Sequence, residues 1–93
     1  RIGDRVFLGP NASLTNDKTP LRTEYKLETI TVEDDVTVGS NATLMPGITI
    51  GEGAFIAGGA VVTKDVPAWH IAKGCPAVFE ELPESLKKPN RLG

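Results

Sequence analysis

Sulfur, imidazole and aromatic rings are all scarce in this 93-residue chain. One cysteine, Cys75, excludes an internal disulfide framework and any thiolate metal cluster within one chain. One histidine, His70, excludes a metal site built on three imidazoles. Aromatics make up 5% of the residues, so a core has to come from Val, Ile, Leu and Ala. No apolar run approaches the roughly 20 residues that cross a bilayer. No secretory leader is visible, although the chain opens at Arg1 without a Met, so a lost leader stays open. A net charge of −2 gives no general attraction for nucleic acid or an anionic membrane. These absences suggest one small domain, near the lower size limit for a self-sufficient core, in a reducing, cytoplasmic setting.

What is plentiful is Gly, with 10 copies, and Pro, with 7, and they are placed with a period. Counting from Ile2, six-residue units begin at Ile2, Leu8 and Leu14, then at Val32, Val38, Leu44, Ile50, Ile56 and Val62. All are aliphatic, which chance would give about once in 500 if half of residues are apolar. Three places on stand Arg5, Asn11, Asp17, Asp35, Asn41, Gly47, Gly53, Gly59 and Asp65. All but Arg5 are Gly, Asn or Asp, the residues that tolerate a positive φ. Four places on, the residues are small or β-branched except at Lys18. Neither the helical period of 3.6 nor the strand period of 2 gives this pattern. Each unit reads as a short strand followed by a tight corner.

Such units coil into a parallel β-helix. Three of them make one triangular turn, and each strand then lies over the one 18 residues earlier, Val32 on Ile50, Val38 on Ile56 and Leu44 on Val62. The first turn joins this register once a 12-residue insertion, residues 20–31, is set aside. That insertion carries four charges and reads as a protruding arm, or as a plain surface loop. The fold expected is all-β, about three coils over residues 1–67. The repeat fades after Pro67, so residues 68–93 are expected to cap the last coil with one or two short helices starting near Pro76 and Pro83. The first coil lacks such a cover. That suggests either the C-terminal part of a longer solenoid or an upper edge covered by something else.

The stretches "IGDRVFLGPNASLTND", "VEDDVTVGSNATLMPGITIGEGAFIAGGAVVTKDVP" and "IAKGCPA" closely resemble the hexapeptide-repeat acyltransferases, over about Arg1 to Val78. The resemblance implies a left-handed coil, a homotrimer and an acetyl-coenzyme A donor, with no metal. Within that family, "LTNDKTPLR" is similar to a segment of the aminosugar N-acetyltransferases. It implies a nucleotide-linked amino sugar as acceptor, in surface polysaccharide or lipopolysaccharide synthesis.

Carried over residue by residue, the resemblance makes Asn16 the acceptor-facing asparagine. Its amide cannot act as a base but can orient the acceptor and stabilise charge. Asp17 and Arg22, with Lys26, would meet the acceptor. Asp17 also reads as a corner residue and the two cations as solvated loop charges. The donor positions are Ser40, Gly58, Thr63 and Lys64, with Lys73 near the adenine end. Small residues at Ala57 to Ala60 would let the backbone approach the pantetheine arm, and Lys64 would meet phosphate. Corner geometry is the plain alternative for Ser40 and Gly58. Trp69 reads as an edge seal rather than an adenine platform, and Cys75 as a turn residue. His70 lies past the repeats, away from the family's catalytic histidine. A free amine needs no protein base to attack a thioester, so the missing base points to N-transfer. An O-acetyltransferase and a non-catalytic trimerising or regulatory module remain the alternatives.

Overall fold

The computed structural model describes residues 1–14 and 29–91. The six-residue units fold into two-residue strands: β1 Phe7–Leu8, β2 Ser13–Leu14, β3 Thr31–Val32, β4 Thr37–Val38, β5 Thr43–Leu44, β6 Thr49–Ile50, β7 Phe55–Ile56 and β8 Val61–Val62. Two longer strands follow, β9 His70–Lys73 and β10 Val78–Glu81. They form the three faces of a prism. Face A pairs β3 with β6, face B orders β1-β4-β7-β9-β10, and face C orders β2-β5-β8.

The stacking follows the repeat. Val32 lies on Ile50, Val38 on Ile56 and Leu44 on Val62, all parallel. Across the insertion, Ile2 bridges Val32, Leu8 pairs with Val38 and Leu14 with Leu44. Strand β3 starts at Thr31, so the insertion ends one residue earlier than the sequence suggests. The aliphatic of each unit points inward: Val32, Val38, Leu44, Ile50, Ile56 and Val62 are essentially buried. Each such side chain contributes roughly 1.5–3 kcal/mol. The residues four places on, among them Val36, Ala42, Ile48, Ala54 and Ala60, complete this single core. In the first coil the same positions are half exposed, Ile2 at 48% and Leu8 at 41%.

The corners behave as their residue types suggest. Asn11, Asp35, Asn41, Gly47, Gly53 and Gly59 all have positive φ, and so do two residues out of character, Arg5 and Trp69. Asp65 instead uses its carboxylate, accepting the Thr49 N–H at 2.8 Å.

The last coil departs from expectation. Val66 bridges Ile50 and Ala72 pairs with Ile56, each 16 residues on rather than 18. A two-residue shortening thus hides a unit that does not stop at Pro67; the Val66–Ala72 spacing is again six, and both residues are buried. The closing segment is a hairpin, β9 antiparallel to β10, rather than a pair of helices. Pro76, expected at a helix start, follows a cis bond from Cys75 in the hairpin turn. The helical part of the cap is one 3-10 turn, Glu84–Leu86, directly after Pro83. Residues 70–73 and 78–81 have an open coil edge beside them, and pairing with β7 satisfies backbone groups that a helix would leave facing it. Trp69 seals the turn as expected: its ring occupies the space where a Cβ on Gly53 would sit.

From there the chain runs back down face B and ends on the first two coils. The Arg5 Nε and Nη2 donate to the two Asp35 oxygens at 2.7 and 3.1 Å. The Asn90 N–H donates to Asp35 Oδ1 at 3.1 Å. The hydrogen bond from Arg5 holds the Asp35 carboxyl below its ordinary value of 3.8, against the opposing effect of burial and with help from Asn90. A carboxyl depressed in the folded state adds stability above its unfolded pKa and loses it as pH falls. Asp35→Asn, which keeps a residue tolerant of φ 60, should cost about 1 kcal/mol at neutral pH, held low by the half-exposed guanidinium. Urea melts should show the gap to wild type closing as pH drops below 3.8.

Candidate functional site

In each unit the residue before the buried aliphatic faces outward, because successive side chains alternate along a strand. On face C these are Ser13, Thr43 and Val61, aligned across β2, β5 and β8. They form a narrow polar-to-apolar strip that runs along the coil axis. Sequence reasoning passed over this strip. Its signal was available, as the position one before each repeat aliphatic.

The donor candidates line the two edges of face C. Ser40 and Gly58 stack at the corner between faces B and C, where the Gly59 N–H donates to the Ser40 carbonyl at 2.9 Å. Lys73 ends β9 one layer further on, beside Gly74, whose carbonyl accepts the Val61 N–H at 3.0 Å. Thr63 and Lys64 sit at the opposite corner, between faces C and A. There the Met45 N–H donates to the Val62 carbonyl at 3.0 Å. The five residues therefore bracket one face rather than converge on one point. Asn16, Asp17, Arg22 and Lys26 lie outside the described residues; the described chain leaves face C at Leu14.

Local geometry separates the paired glycines at 58 and 59. Gly59 has φ +74°, a conformation that other residues resist. Gly58 does not, and a Cβ there would find its nearest neighbour, the Ser40 carbonyl oxygen, at an ordinary 3.4 Å. The coil thus needs a residue that accepts a positive φ at 59, as Asn41 does one coil earlier, and makes no such demand at 58. Corner geometry accounts for one and leaves the other as an exposed, side-chain-free stretch of backbone. Lys64 is exposed and makes no ion pair among the described residues. Lys73 is held by Glu80 at 3.1 Å, so an anion there would compete with a surface pair.

His70 is elsewhere. It opens β9 on face B, opposite Glu81, and its Nδ1–H donates to the Ala68 carbonyl at 2.8 Å. Cys75 is an exposed free thiol in the hairpin turn. The turn that carries Cys75 borders face C, since the Gly74 carbonyl and the Ala77 N–H both bond to Val61, whereas His70 lies on face B. Among the described residues no cluster of metal-ligating side chains forms, and no helix is long and apolar enough to cross a membrane. Two cavities among the described residues lie away from face C. One of about 180 Å³ sits under the C-terminal tail against Thr37 and Phe55. Another of about 220 Å³ is bordered by Glu33, Asp34 and Glu52, whose charge would repel phosphate. Face C is the outside of a prism, open to a long ligand laid along it.

Residues 29–64 match the bacterial transferase hexapeptide (six repeats) family. These coils belong to the hexapeptide-repeat transferases. As a hexapeptide-repeat coil, the chain is a left-handed parallel β-helix. It is 48% identical, over 81% of its own length and 30% of the relative's, to a Staphylococcus aureus 2,3,4,5-tetrahydropyridine-2,6-dicarboxylate N-acetyltransferase. Among solved structures it resembles a galactoside acetyltransferase in complex with coenzyme A, at a TM-score of 0.82 and 31% identity, covering 99% of this chain and 52% of that one. A hexapeptide-repeat acetyltransferase of Vibrio cholerae complexed with acetyl coenzyme A aligns at 0.77 and 31% identity, covering 89% and 49%. The chain spans less than half the length of the curated relatives it matches.

The two glycines give a direct test of the site. Gly59→Ala should lower stability by about 1 kcal/mol. Gly58→Ala should stay within about 0.5 kcal/mol of wild type while weakening coenzyme A several-fold, as read by denaturant melts beside titration calorimetry. A Gly58→Ala protein that loses stability and keeps full affinity would reverse the assignment.

Proposed function

We propose that the chain is the donor-binding part of an acetyl-coenzyme A-dependent N-acetyltransferase acting on a nucleotide-linked amino sugar, in surface polysaccharide or lipopolysaccharide synthesis. The observation that carries the reading is face C. An exposed backbone at Gly58, where the fold does not require glycine, stands at one edge, and Lys64, with no ion pair among the described residues, stands at the other. When bound, acetyl-coenzyme A supplies an acyl carbon and a thiolate leaving group. Ser40 and the Gly58 backbone would offer hydrogen bonds to the amides of its arm. Lys64 and Thr63 would meet its phosphates, with Lys73 released from Glu80 near the adenine end. Since one chain presents only one wall, the working unit is proposed to be a homotrimer whose neighbouring subunit supplies the other.

On the acceptor side, Asn16 would hold the nucleophile and face the charge that develops on the carbonyl oxygen, with Asp17 and Arg22 positioning the nucleotide. The free amine attacks the acyl carbon, the C–S bond breaks, and the amine proton passes to the departing thiolate or solvent. N-transfer rather than O-transfer is supported by the position of His70, on a different face from the donor strip. The name of the Staphylococcus aureus relative supports a second reading, in which the amine belongs to a small dicarboxylate. Arg22 and Lys26 would suit carboxylates as well as phosphates.

A thiol-release assay on the full-length protein, offered both acceptor classes, distinguishes these readings. Lys64→Ala should weaken coenzyme A about tenfold, roughly 1.4 kcal/mol, with a smaller loss at high salt. Asn16→Ala should lower turnover by about one to two orders of magnitude with donor affinity kept. His70→Ala should stay near wild type. Turnover should rise with pH through the ionisation of the acceptor amine, and His70→Ala should leave that profile unchanged. Loss of activity in a folded His70→Ala protein would restore a histidine base and an alcohol acceptor. Donor binding with no turnover on any amine would favour a non-catalytic module. Light scattering should return about three chain masses.

A further inference from the structure

The C-terminal tail ends on the part of the solenoid with the least core. Coil 1 leaves its inward aliphatics half exposed, so it is held chiefly by bonds to coil 2. The Gly3, Phe7, Gly9 and Ser13 N–H groups donate to the Val32, Val36, Val38 and Ala42 carbonyls at 2.7–2.9 Å. Onto this seam comes Asn90, 85 residues from its partner Arg5. Its Nδ2 donates to the Arg5 carbonyl of coil 1 at 2.7 Å and to the Val36 carbonyl of coil 2 at 3.2 Å. Its Oδ1 accepts the Thr37 hydroxyl at 3.3 Å. Its backbone N–H donates to Asp35, the same carboxylate that holds Arg5. One side chain therefore uses its donors and its acceptor on two coils at once.

The root of the tail is fixed separately. Leu82 is buried, its N–H donates to the Trp69 carbonyl at 3.0 Å, and Lys87 pairs with Glu81 and Glu84. Between root and tip the cavity beside Thr37 and Phe55 separates tail from face B. Of its polar lining, Asp35 and Thr37 are both bonded to Asn90, while Lys88 and Arg91 stand on the tail side. The tail is thus joined at both ends and loosely packed in the middle, which is the form of a strap.

We propose that this strap is a clasp: the Asn90 tip locks coil 1 to coil 2, and its release frees coil 1 as one unit while the later coils stay closed. The inference rests on the described fold and is independent of the proposed activity.

Hydrogen exchange on the whole chain tests it, because exchange resolves local from global opening. Asn90→Ala should speed exchange at Gly3, Phe7, Gly9 and Ser13 about tenfold or more. The amides of Thr37, Gly39 and Thr43, which bond into the third coil, should change less than twofold. Thr37→Val, which removes one bond to the tip and leaves the others, should act in the same direction and more weakly. Equal acceleration in all coils would make Asn90 an ordinary stability contact. Unchanged exchange in coil 1 in both variants would show that the tail does not hold it. Either result overturns the clasp.

Discussion

Everything in this molecule depends on the inward aliphatic of each six-residue unit lying directly over its counterpart in the next coil. A two-residue strand has almost no stability of its own. It persists because its N–H and C=O groups bond to the coils on either side and its one inward side chain joins a continuous apolar column. A slip of one residue would turn that column outward. The positive-φ corners are part of the same constraint, since the chain must bend sharply within a few residues to return in register. Where the geometry is met by Arg5, an ion pair and the Asn90 contact surround it.

The constraint also decides where chemistry can be placed. The position two after each repeat aliphatic is the most varied one, occupied by Asp4, Pro10, Asn16, Asp34, Ser40, Pro46, Glu52, Gly58 and Lys64, and of these Pro46 is buried. The fold asks nothing consistent of it, and three of the donor candidates stand in it. A residue there is presented at a corner, on a scaffold whose rigidity comes from other columns. This is the physical reason that a repeat with almost invariant core positions can carry a site.

At the two ends of the solenoid the repeat runs out, and other interactions take over. The last coil shortens by two residues and closes with a hairpin that satisfies the edge. The tail then returns along face B and ties the two ends of the described structure together through polar contacts. Coil cohesion is apolar in the middle and increasingly polar towards coil 1, where Asp35 is buried and paired.

The periodicity of the sequence by itself determined the prism, the stacking partners and most corners, because each is dictated by one residue and its neighbours at fixed spacing. It also identified Gly58 and Lys64 as candidates, through resemblance. Only the tertiary structure decided the rest. The unit at Val66 and Ala72 was hidden, because a two-residue change in spacing matters little to a chain but must be absorbed by a corner. The strands at 70–73 and 78–81 were expected to be helical; the open edge of β7, invisible in the local sequence, recruits them. The outward strip of face C and the reach of Asn90 to Arg5 were beyond reading as well. Both join residues whose sequence separation carries no pattern, and long-range pairing of that kind is settled only when the coils are stacked.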